Sequence, residues 1–229
     1  GDEREVQVLS ADLETLTGRR PVTLLGREWQ FRPGAVGSRD WERSRLAALY
    51  ALAQGDAPVV VATADGLMAR TLPPETLRSL AITLEVGGQA ELGALAEQLL
   101  SAGYTRCEQV EGVGQFALRG GILDVFSPLM DQPVRCEFFD DEIDSMGAFD
   151  PGTQRRTRNV SSARILPAAE VLPHCAPGGL PGLADQLIAL AEKLAKKQKT
   201  EAIVQTLRED AERLRSGAAP GAADRYLAK

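Results

Sequence analysis

Between Gly114 and Phe149 the chain repeats one pattern four times: a run of alternating apolar and polar residues, closed by glycine, proline or aspartate. The runs are GQFALRG, GILDVF, VRCEFF and EIDSMGAF. A period of two sends successive side chains to opposite faces of a sheet, and turns this short join antiparallel neighbours. The stretch therefore predicts an antiparallel sheet with one face in a core, which makes the middle of the chain α+β. A strand near Ile82–Val86 precedes it, as does a helix with Leu92, Leu95 and Leu99 inward that Gly103 stops. The segment ARILP, near Pro167, is the last strand.

The flanks have a different period. Val6, Leu9, Leu13 and Leu16 share one helical stripe that closes at Gly18, and Val22–Leu25 reads as a short apolar strand. FRPGAVGS is a loop, and its Ser38 is an N-cap for a helix carrying Leu46, Leu49 and Ala53 up to Gly55. Pro58–Ala62, PVVVA, is a β-branched run of the kind buried on both faces of a parallel sheet. Residues 1–79 thus predict part of an α/β layer, with a domain boundary near Ser79. After a Pro- and Gly-rich stretch, helical spacing returns at Leu183, Leu187, Leu190 and Leu194, and again at Ile203, Leu207, Ala211 and Leu214. The polar AKKQKT between them is a solvated face or a turn. The two stripes predict packing against the parent domain, with coiled-coil dimerisation as the alternative.

Composition excludes several functions. A net charge of −6 and a pI near 5.0 repel a polyanion, which argues against a module that grips DNA through phosphates. The three cysteines, Cys107, Cys136 and Cys175, form no CxxC pair, so they read as reduced thiols of a cytoplasmic protein, not as a zinc site or a disulfide framework. The chain opens on Gly1 and stops at RYLAK, as a piece of a longer protein does. No G-x-x-x-x-G-K-[ST] occurs. FFDDEID imitates a Walker B strand, but magnesium held by such acids needs a phosphate site opposite, so it reads as an acidic turn. The single histidine, His174, lies in a Pro-rich linker with nothing to orient it as a base. No catalytic residue, cofactor or metal is expected.

One surface stands out. In VRCEFF, Val134, Cys136 and Phe138 form an uncharged core face, which leaves Phe139 beside Arg135 and Glu137 on the other face. In GQFALRG, Phe116 and Leu118 face inward, leaving Gln115, Ala117 and Arg119 outward. If these strands pair, one solvent face carries Arg119, Arg135 and Phe139, the composition of a protein-binding hot spot. Periodicity alone leaves open the alternative that Phe139 sits under a loop and the arginines are ordinary surface charges. Charge is also segregated: residues 131–150 hold seven acids and one arginine, and residues 151–164 hold four arginines and no acid. This reads as two edges of opposite sign, with a phosphate-binding strip of Arg155, Arg156 and Arg158 as the weaker alternative.

VEGVGQFALRGGILDVFSP followed by QPVRCEFFDDEIDSMGAFDPGTQR resembles the segment shared by bacterial transcription-repair coupling factors (Mfd) and the excision protein UvrB. The similarity runs back through LLSAGYTRCEQV, PVVVATADGLMARTLPP and SRLAALYAL, and forward through ARILPAAEVLP to RYL. The wording DDEIDS, FDPGTQR and RILPAAE favours the coupling factors. UvrB-like chains carry a tyrosine-rich hairpin, whereas only Trp29, Phe31 and Trp41 precede the SRLAALYAL helix. Cys136 and Met146 depart from the aliphatics expected there.

The resemblance implies a fold of three parts. They are a degenerate P-loop-type α/β layer over 1–79 that lacks its first strand and P-loop, an inserted antiparallel α+β domain over 80–167, and a helical return segment over 168–229. It also implies that the inserted domain binds UvrA through the arginine of the RGG turn, the arginine of VRCEFF and the last phenylalanine there. These are Arg119, Arg135 and Phe139, the three that strand periodicity places on one face. It further implies a parent protein that is an ATP-dependent DNA translocase, reaching RNA polymerase and DNA through other domains and masking this face with a C-terminal domain. The chain itself is then a non-catalytic recruiter of UvrA in nucleotide excision repair. The alternatives are a fragment of a UvrB-type ATP-dependent damage-processing protein and a purely structural layer.

Overall fold

The computed structural model describes residues 3–26, 40–56, 59–128, 130–196 and 201–217. The FRPGAVGS loop with Ser38, Trp29, Phe31, the Trp41 side chain, Pro58 and most of AKKQKT lie outside the described residues. The chain divides into two compact units, Gly1–Glu170 and Val171–Lys229.

The first unit begins with α1 (Glu3–Thr17), β1 (Val22–Leu24), α2 (Asp40–Gln54), β2 (Val60–Ala62), α3 (Ala64–Met68) and α4 (Pro74–Leu80). β1 and β2 pair in parallel, with Val22 opposite Val60. Their small core is Leu24, Leu46, Ala48, Leu49 and Leu77. Two expectations change here. Only Val61 of PVVVA's described residues is buried, because a two-stranded layer leaves Val59, Val60 and Ala62 partly open. Of the α1 stripe only Val6 is buried, while Leu9 and Leu16 are 49% and 81% exposed. A buried ion pair ties this layer to the end of the unit. Arg45 Nε donates to Glu170 Oε2 at 2.7 Å, and its Nη1 donates to the carbonyls of Leu25 and Gly66.

The rest of the unit is β3 (Ile82–Glu85), α5 (Leu92–Ser101), β4 (Thr105–Arg106), β5 (Gln115–Arg119), β6 (Ile122–Val125), β7 (Val134–Phe139), β8 (Glu142–Phe149), β9 (Arg156–Asn159) and β10 (Ser162–Ile165). Strands β4 to β9 form one six-stranded sheet in sequence order; β4 and β5 are parallel and every later pair is antiparallel. β3 and β10 form a separate antiparallel ribbon. The inner face of the large sheet contributes Phe116, Leu123, Val125, Val134, Cys136, Ile143 and Met146 to a core closed by Leu95 and Leu99 of α5, Leu84 of β3 and Ile165 of β10. Cys136 and Met146 are direct cross-strand partners and both are buried, so one interior position holds both departures from aliphatic residues. α5 starts where the Glu91 carboxylate accepts from Gly93 N and Ala94 N, and it ends at Gly103, whose φ of 86° suits glycine.

The second unit holds the 3₁₀ turn Pro173–Cys175, α6 (Gly179–Ala195) and α7 (Glu201–Arg215). The two helices bury their stripes against each other through Leu180, Ala184, Leu187, Ala191, Val204, Leu207, Ala211 and Leu214. Each helix supplies the apolar face the other needs. Val204, not Ile203, enters that core; Ile203 is 54% exposed.

Candidate functional site

The outer face of the large sheet follows from its register. Ala117 stands opposite Asp124, Asp124 opposite Arg135, and Arg135 opposite Gly147. Directly opposed residues share a face, so these four form one row across four strands. Arg119, Ile122, Glu137 and Ser145 form the next row, and Phe139 with Glu142 the one beyond. The three residues read from the sequence therefore do share a face. The ladder brings Arg119 and Arg135 together, while Phe139 stands two rows from Arg135, about 13 Å along the strand.

What joins the arginines is Asp124. It is completely buried and accepts from Arg135 Nε at 2.7 Å on Oδ1, Arg135 Nη2 at 2.8 Å on Oδ2 and Arg119 Nη2 at 2.6 Å on Oδ2. Arg135 makes the two-pronged contact that a guanidinium and a carboxylate match in shape. Its side chain is 21% exposed, against 47% for Arg119. The Asp124 carboxylate raises the pKa of Arg135 above its ordinary value. Arg135 is held further by the Phe149 ring, 4.7 Å below its Cζ, and by Gln154 Oε1 at 3.4 Å. Gln154 in turn donates to the carbonyls of Val110 and Pro151. Among the described residues Arg119 donates to Asp124 through Nη2 alone, and about half of its side chain stays exposed.

Beside this cluster, Phe139 is 75% exposed, the most exposed phenylalanine or other aromatic among the large hydrophobic residues described as exposed. Its strand ends in the turn Asp140–Asp141, with Asp140 at φ 53°, so FFDDEID is the acidic turn expected of it. Ala117 was expected outward. It lies on this face but is buried, because Val110, Phe126 and Phe149 close a second small core over that part of the sheet. The weaker alternative for the basic segment puts Arg156 in a strip with Arg155 and Arg158. Arg156 instead lies over Gly147, where an added Cβ would be 2.0 Å from its Nε, and donates to Ser145 Oγ at 3.3 Å and to the Met146 carbonyl. It also lies 3.8 Å from Glu137. The register places Arg158 opposite buried Ala148, in the row that includes inward Val134, so the three arginines do not form one strip.

Elsewhere, the thiols offer little chemistry. Burial pushes the Cys136 pKa up to about 12, and burial also raises Cys107 and Cys175. Among the described residues no group of three or more His, Cys, Asp or Glu side chains is arranged to hold a metal ion. His174 sits half-buried in the Pro173–Cys175 turn. Asp124 was missed in the sequence reading. Its signal was there: a lone acid inside the apolar run ILDV, on the face that alternation assigns to solvent, yet able to lie beside two arginines.

Residues 82–171 match the family model of the UvrB interaction domain. Across nearly its full length the chain is similar to transcription-repair-coupling factors. It is 35% identical to that of Myxococcus xanthus over 94% of the chain and 32% identical to that of Bacillus subtilis over 97%. Against that of Escherichia coli it is 39% identical over 62% of the chain. It spans only 18%, 19% and 13% of the length of these relatives respectively. Residues 82–171 are thus similar to UvrB interaction domains, within a chain that is similar over nearly all of its length to one part of transcription-repair-coupling factors.

Proposed function

We propose that this chain, as the UvrB-interaction-domain segment of a transcription-repair-coupling factor, docks UvrA through Arg119, Arg135 and Phe139 and does no chemistry itself. The observation that carries the reading is the outer face of the sheet: an exposed aromatic on the same face as two arginines already ordered on one carboxylate. Aromatic and arginine side chains dominate binding hot spots, because they bring large contact area and directed hydrogen bonds. Within this proposal, residues 1–79 are the remnant of a P-loop-type layer, 80–167 the docking domain and 168–229 the return segment. The parent protein would bring UvrA to a stalled RNA polymerase, and would cover the same face with another of its domains until the motor engages.

The test is isothermal calorimetry of the purified chain with purified UvrA, without nucleotide or DNA. The Arg119→Ala and Phe139→Ala variants should each weaken binding by about 2–4 kcal/mol, as central hot-spot residues do. Unchanged affinity in both would remove the assignment.

A further inference from the structure

We infer that Asp124, which lies under the proposed docking face, is a positioning residue: it holds the guanidinium groups of Arg119 and Arg135 in their binding geometry before any partner arrives. This inference rests on the proposed docking function and deepens it. An ionised carboxylate taken fully out of water is costly unless its oxygens are matched by charged donors. Asp124 meets that condition with three charge-assisted bonds of 2.6–2.8 Å from two arginines, and both of its oxygens are used. Its place in the middle of β6, with Ala117 and Arg135 as cross-strand partners, sets where those bonds can form.

The consequence for binding comes from entropy and charge. A free arginine has several rotatable bonds, and freezing such a side chain at an interface lowers affinity. Here the freezing is done within the free protein, in an ordered chain from Gln154 and Phe149 to Arg135, to Asp124, and to Arg119. The carboxylate also lets two like charges sit together, leaving a net charge of one spread over two guanidinium groups. Arg119 is the more exposed of the two and Arg135 the more buried anchor. Replacing Asp124 by asparagine keeps the size but removes the countercharge and turns one acceptor into a donor facing a donor.

The experiment measures UvrA affinity for the wild-type chain, for Asp124→Asn, for the Arg119→Ala/Arg135→Ala double variant and for the triple variant. Asp124→Asn should weaken binding roughly 5- to 100-fold, the range expected for ordering two rotamer-rich side chains at the interface. In the double-variant background the same change should cost less than about twofold, because nothing is left to position. A change that acted only by loosening the fold would cost the same in both backgrounds. Unchanged or tighter binding by Asp124→Asn, or an equal loss in both backgrounds, overturns the inference. If the double variant binds UvrA as the wild type does, the docking proposal fails and this inference with it. If the double variant loses binding and Asp124→Asn does not, only this inference fails. A measurement needing no variant guards against poor folding of Asp124→Asn: NMR of the Arg Nε–H groups in the free wild-type chain. Slow solvent exchange of Nε–H at Arg135 and hindered guanidinium rotation at both Arg119 and Arg135 are expected; fast exchange at Arg135 with free rotation at both overturns the inference.

Discussion

Arg135→Ala and Arg119→Ala remove the same chemical group from the same face, yet the structure makes their costs unequal. Removing Arg135 deletes both prongs of its contact with Asp124 and leaves a fully buried carboxylate with one hydrogen bond from Arg119. Breaking a buried ion pair from one side costs about 3–5 kcal/mol. The surviving Arg119 bond and the 21% exposure of Arg135 reduce this to about 2–4 kcal/mol, a figure that includes the lost contact with Phe149. Removing Arg119 leaves the two-pronged pair intact, and its side chain is 47% exposed, so solvent screening holds the stability cost to about 0–1 kcal/mol. Hydrogen–deuterium exchange on peptides covering β5 to β8 reads local opening free energies directly, and calorimetry with UvrA reads binding. Both variants should lose affinity, and only Arg135→Ala should lose protection in the sheet. Equal protection in the two variants, or a greater loss in Arg119→Ala, would refute the account of Asp124 as held chiefly by Arg135.

Phe139→Ala should leave the unfolding free energy within about 0.5 kcal/mol of wild type, since the ring is 75% exposed, while lowering UvrA affinity; urea denaturation beside calorimetry checks the separation. Arg45→Met should destabilise the first unit by about 3–5 kcal/mol, because it breaks a fully buried ion pair with Glu170 from one side; loss of protection in peptides of α2 and around Glu170 is the readout. The Cys136 thiol has a folded pKa of about 12, raised by burial from an ordinary value of 9.0, so the folded state favours the protonated form. Its stabilising contribution is complete below pH 9 and is lost as the pH rises from there toward 12, at up to about 1.4 kcal/mol per pH unit. Stability measured at pH 8 and pH 10 should fall for wild type and stay flat at this site in Cys136→Ala. With a maleimide at pH 8, the exposed Cys175 should label first and the buried Cys136 only on unfolding.

Much of this was legible in the sequence because strand and helix periods are local. Alternation in VRCEFF placed Cys136 in the core and Phe139 outside, and the helical spacing of Leu95 and Leu99 marked the face of α5 that closes that core. Those assignments need only the pleat and the turn of the chain itself. The sequence alone determined that Arg119, Arg135 and Phe139 could share a face. It did not determine that two of them meet, because that depends on which residue stands opposite which. Only the register set Asp124 between Ala117 and Arg135, and so turned a lone acid in an apolar strand into the common partner of two arginines. Arg156 could not be placed from its neighbours in sequence either, since its position depends on a missing Cβ at Gly147 on the next strand. Ala117 lies on the outward face that alternation gives it, yet it is covered, because alternation reports direction and not what lies above, here Val110 and Phe149. The two closing helices repeat the lesson: their stripes announced burial, but only the folded chain decided that each would bury the other. Direction is written in the backbone's own geometry, whereas partners are set by contacts between residues distant in sequence.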